Sequence, residues 1–72
     1  MHNEFTAVIE QGEDGWIVAF CPEIPEANGQ GKTTQEALEN LRDGIELVLE
    51  YRREEGLRNV PVGAIQPIVV DA

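Results

Sequence analysis

The sequence predicts an α+β fold, a small βββαβ domain with a mainly antiparallel sheet and one long helix packed on one face. Three observations carry the prediction. Residues 5–11 alternate apolar and polar side chains, and an apolar run at 16–21 follows them across a Gly12-Glu13-Asp14-Gly15 turn. Residues 34–55 then repeat apolar side chains at steps of three and four, the spacing of a helix with one buried face. A last β-rich run, 65–70, comes after a loop holding Pro61 and Gly63. Seventy-two residues make one domain, 1–72, with a small core.

In the first strand Phe5, Ala7 and Ile9 fall on one face and Thr6, Val8 and Glu10 on the other. The turn residues after it accept positive φ, which closes a hairpin onto the second strand. That strand, 16–21, is apolar on both faces, so it belongs at the centre of the sheet or under a partner chain. Pro22 and Pro25 have no N–H to give a ladder, so Cys21-Pro22-Glu23-Ile24-Pro25 is expected to leave the sheet as an irregular bend. A short third strand at 27–30 follows it.

Thr33 and Glu36 form a capping box, which starts the helix at Thr34. Ala37, Leu38, Leu41, Ile45, Val48 and Leu49 make its apolar stripe, and Gly56 is expected to end it. At 1.5 Å per residue a helix over 34–55 is about 33 Å long, more than a small sheet can cover. Gly44 costs roughly 1 kcal/mol against alanine inside a helix, which a close backbone approach would explain. In the final run, Pro67 restricts the strand to an edge.

Fourteen acidic and five basic side chains give a formal charge of −9. Such a field repels phosphate backbones and anionic lipid and steers basic proteins toward the chain, so no direct nucleic-acid partner and no membrane are expected. No apolar stretch approaches the roughly 20 residues of a membrane span, and the start lacks the pattern of a signal peptide. One cysteine makes no internal disulfide. The expected location is cytoplasmic.

Candidate chemistry is sparse. Gly31-Lys32-Thr33 ahead of a helix suggests a phosphate loop, but the glycine required five residues before Gly31 is Glu26. His2 stands near a terminus where a general base is hard to hold in place, and Cys21 reads as a buried structural thiol. No catalytic residue, metal site or cofactor is expected, and the chain is not read as an enzyme. The helix is more telling. Glu39, Asp43, Glu46, Glu50 and Glu54 recur at i, i+4, i+7, i+11 and i+15, one acidic stripe that would face a basic partner, or simply water. Leu47 and Tyr51 flank the core stripe and, with Gly44, are candidates for self-association as a homo-oligomer, a dimer in the simplest case.

Asp14-Gly15-Trp16, the Cys21-Pro22-Glu23-Ile24-Pro25 exit, Gly31 with Thr33, and Glu36-Ala37 opening the helix together resemble the HicB-like antitoxins of prokaryotic toxin–antitoxin pairs. The resemblance covers nearly the whole chain and implies a partial ribonuclease-H-like fold without ribonuclease activity. It departs from the family at Glu26 and Ala27, where glycine and cysteine commonly follow the second proline. Many members add a DNA-binding domain that represses their own operon; this sequence ends at Ala72, as a short single-domain member or a fragment, and operator binding is not carried over. The implied function is neutralisation of a small basic HicA-like RNA-cleaving toxin by occlusion. The alternative is a stand-alone oligomeric scaffold or regulatory domain without a toxin.

Overall fold

A computed structural model describes residues 4–70. Its elements follow the order β1 (Val8–Gln11), β2 (Ile17–Cys21), β3 (Ile24–Gly31) and α1 (Thr34–Leu57), with short 3₁₀ turns at Glu13–Gly15 and Val62–Ala64. The three strands form one antiparallel sheet in the order β1-β2-β3, so the doubly apolar β2 is central, as its composition requires. The α+β class and the single long helix on one face of the sheet are as expected.

The first hairpin turns at Asp14 and Gly15, with φ of 57° and 79°. In the ladder Ile9 stands opposite Ala19 and Ala19 opposite Gly29, which puts these three on the side facing α1. Val8, Phe20 and Asn28 lie on the opposite side, which no helix covers. β1 is shorter than the expected 5–11. The Thr6 amide and hydroxyl donate instead to the Glu23 carboxylate, taking the chain out of the ladder before Val8.

β3 corrects a second expectation. Pro22 and Glu23 make a tight turn, not an irregular bend, and Ile24 pairs at once with Cys21 after a register shift, so the strand runs over eight residues. Pro25 fits inside it because β3 is an edge strand, whose outward N–H positions need no donor.

Thr33 caps α1 by accepting the Glu36 amide at 3.1 Å, while Glu36 Oε1 accepts the Lys32 amide at 3.2 Å. The helix then runs through Gly56 to Leu57, because Gly56 takes a helical conformation and the left-handed residue that ends it is Asn59, at φ 64°. Its 24 residues span about 36 Å. Ala37, Leu41 and Ile45 meet Ala19, Cys21, Ile24 and Ala27 in the core, with Ile17, Leu38 and Val48 packed at its margin. The contact is close because glycine faces the helix: a Cβ at Gly29 would lie 2.3 Å from the Leu41 amide nitrogen and 2.4 Å from the Ala37 carbonyl oxygen.

The expected final strand is not formed: residues 65–70 pair with no strand. Three backbone bonds, Val60 to Leu57, Ala64 to Pro61 and Ile65 to Val62, wind the connector into turns. They hold the segment beside Arg52, Arg53, Gly56 and Leu57 of α1, where it pairs with no strand.

Candidate interaction surfaces

Residues that carry the core lie at 37, 41 and 45 on α1; at 100° per residue, the centre of the acidic stripe falls about 180° away. The backbone thus fixes the stripe on the outer face, and Glu39, Asp43, Glu46, Glu50 and Glu54 are all exposed. Glu39 accepts a hydrogen bond from the Gln35 amide group at 3.3 Å. Asp43, Glu46, Glu50 and Glu54 have no ion-pair partner among the described residues. Four unpaired carboxylates along a rigid helix make a field that attracts a positively charged surface and discourages an anionic one.

The three self-association candidates separate. Leu47 and Tyr51 are 67% and 62% exposed. Gly44 is turned against β3, where an added Cβ would lie 3.3 Å from the Asn28 carbonyl oxygen and 3.6 Å from the Ala27 Cβ. The close backbone approach expected of it is therefore made within one chain, against β3, and Gly44 is only partly exposed.

The anion site suggested by Gly31-Lys32-Thr33 is filled by the protein itself. Glu36 lays its carboxylate over the first turn, and a Cβ at Gly31 would lie 2.7–2.8 Å from Glu36 side-chain atoms. A phosphate would have to displace that carboxylate. Lys32 is also engaged, with Nζ 5.8 Å from the centre of the Trp16 ring. Among the described residues no three His, Cys, Asp or Glu side chains converge to hold a metal ion. His2 lies outside the described residues. No helix of the described residues is long and apolar enough to cross a membrane.

Two polar links escaped the sequence reading. Glu23, in the β2–β3 turn, accepts from Thr6 N at 3.0 Å and Thr6 Oγ1 at 2.7 Å, and from Cys21 Sγ at 3.2 Å. These donors favour the ionised form, the Thr6 hydroxyl most, and lower its pKa to about 2. Glu26 pairs with Arg52 at 2.5 Å, tying β3 to the helix, and the same guanidinium lowers the Glu26 pKa. Both side chains of that pair are about half exposed, so solvent and salt screen it and it adds little to stability.

Together the fold and this surface define a small βββα domain that presents a rigid acidic helix. Comparison with known proteins places it further. The chain is 47% identical over 70 residues to the UPF0150 protein ssl0738 of Synechocystis sp., covering 97% of each. It is 32% identical over 69 residues to the UPF0150 protein Ta0767 of Thermoplasma acidophilum, covering 96% of this chain and 99% of the other. A UPF0150 protein of Archaeoglobus fulgidus is 38% identical over 50 residues, 69% of this chain and 72% of that one. The chain belongs to the UPF0150 family. No family model and no solved structure matches it.

Proposed function

We propose that this chain is a HicB-like antitoxin, a binding protein that neutralises a small basic HicA-like RNA-cleaving toxin by covering its RNA-binding surface. The observation that supports the reading best is the outer face of α1, where Asp43, Glu46, Glu50 and Glu54 stand exposed and unpaired among the described residues. A row of carboxylates on one helix competes with phosphate for the same cations on a toxin. Occlusion of that kind needs no catalytic residue, metal or cofactor in the antitoxin, and it is carried out in the cytoplasm, where the RNA is.

The second reading, an oligomeric scaffold or regulatory domain without a toxin, draws on a different observation: Leu47 and Tyr51 on α1 and the large apolar side chains from Leu57 to Val70 are exposed. One experiment separates the two. The small basic, histidine-containing protein encoded beside this chain is expressed alone and together with it. Under the antitoxin reading, growth arrest by the basic protein is relieved on coexpression and the two copurify in a complex that weakens as salt rises. Arrest that persists, with no complex at low salt, leaves the scaffold reading.

A further inference from the structure

We propose that residues 65–70 of one copy add as a strand to the open edge of β1 in a second copy and cover the apolar groove beside it. The proposal does not depend on toxin binding, and it gives self-association a site distinct from Leu47 and Tyr51.

Two unsatisfied features on the same chain fit each other. The first is the groove on the β1 side of α1, with Phe5, Leu38, Leu41, Ile45 and Leu49 as its apolar part and Glu4, Arg42 and Glu46 in the same lining, and with β1 paired, among the described residues, only to β2. Phe5 and Leu49 are each 39% exposed there, although they flank the core residues Leu41 and Ile45. The second is the tail, where Ile68, Val69 and Val70 are 84%, 77% and 56% exposed. These are strand-forming residues with no strand to pair with.

Charge permits the approach. In a chain of net charge −9 two copies repel, and residues 60–70 bring no charged side chain to a groove that carries Arg42 beside Glu4 and Glu46. The connector presents the tail to a second copy. Its bonded turns at 57–65 hold the tail beside Arg52, Arg53, Gly56 and Leu57, at the end of α1 opposite the groove's Leu38, with Ile68, Val69 and Val70 open to solvent. Pro67 sets the polarity of the added strand. Its missing N–H must face away from β1, which turns the amides of Gln66, Ile68 and Val70 toward it.

The test uses the whole chain in light scattering coupled to size exclusion over a dilution series from about 100 μM, where a dimer with a constant near 1 μM is saturated, down to about 1 μM, where a tenfold weakening is resolved. A dimer is expected. Ile68→Asp with Val69→Asp should weaken it at least tenfold: side chains alternate along a strand, so one of the two faces the groove and its carboxylate is taken out of water, roughly the effect of 1.4 kcal/mol or more. Leu49→Asp, on the groove side, should do the same. The tail residues are exposed in the single chain, so circular dichroism should not change for the tail variant. Val69→Pro should retain the dimer and Ile68→Pro lose it, because only the second removes an amide facing β1. A monomeric wild type overturns the proposal, as does closure of the tail onto its own chain, which gives that result. A dimer indifferent to the Asp variants also overturns it, including one dissolved by Leu47→Glu with Tyr51→Glu, and so does an equal response to the two prolines.

Discussion

Two parts of this molecule hold similar amounts of apolar residue and use them in opposite ways. From β2 to the middle of α1, seven apolar side chains are buried, and three of them are alanine. From Leu57 onward, Val60, Val62, Ile65, Ile68, Val69 and Val70 are all at least 37% exposed. The difference lies in backbone approach. Gly29 and Gly44 let helix and strand come together so closely that small side chains fill the space between them, and dispersion contacts accumulate on both sides. The second part has larger side chains but nothing set against them. The radius of gyration reflects this: 15.6 Å, against about 11 Å for a compact domain of this length.

The comparison can be broken with one substitution made in both parts. Gly29→Ala sets a methyl group 2.3 Å from backbone atoms of α1, which can move only if the whole helix moves. The expected cost is about 3 kcal/mol, at the upper end for overpacking, out of roughly 4–11 kcal/mol for a domain of this size. Gly56→Ala meets nothing within 4 Å and lies in helical backbone, so it should stabilise by about 0.5–1 kcal/mol. Urea unfolding measures both. Equal and small effects would mean that the close approach at Gly29 does not hold the core together.

The same contrast explains how much was legible in the sequence. The helix, its start and its core face could be read because capping and periodicity are local: Thr33 and Glu36 sit three residues apart, and Leu41 and Ile45 four. The acidic stripe could be read for the same reason. The tail could not. Ile68-Val69-Val70 has strand-like composition, but a strand also needs an available edge, and that depends on where the connector points. Cys21-Pro22-Glu23-Ile24-Pro25 reads as an irregular bend because nothing local distinguishes a bend from a two-residue turn followed by a strand; the pairing of Cys21 with Ile24 decides it. Glu23 was missed because its partner, Thr6, is 17 residues away and is brought near only by the hairpin.

A smaller effect sharpens the comparison at the edge of the ordered half. Glu23 is more acidic in the folded chain than in the unfolded one, with a pKa near 2 against an ordinary 4.5. A lowered carboxylate pKa contributes stability above the unfolded value and loses it as pH falls through the folded value. The bond between the Pro22-Glu23 turn and the start of β1 should therefore weaken between about pH 4.5 and pH 2. Glu23→Gln should be less stable than wild type at pH 7, and the gap should close across that window. A gap that stays constant down to pH 2 would assign the effect to packing, not to the carboxylate.

The smallest expected effect on stability is on the outer face of α1, and there the fold and the proposed function separate most cleanly. Glu39→Lys with Asp43→Lys changes two exposed side chains that touch no core residue. Like charges four apart on a helix cost a few tenths of a kcal/mol. The two introduced lysines still repel each other, but they gain Glu36 and Glu46 three residues away, so the balance is neutral to slightly stabilising. Unfolding midpoints should shift by less than about 0.5 kcal/mol. Binding should respond more. Exposed ion pairs are worth about 0.2–1 kcal/mol each and act mainly on the association rate, so binding to a basic toxin should weaken about tenfold, with a shallower dependence on salt. Association kinetics at two ionic strengths decide the matter. If the double variant binds the toxin with an unchanged on-rate and salt slope, α1 is a solvated face and the contact must lie on the uncovered side of the sheet, around Val18 and Phe20, or along β3.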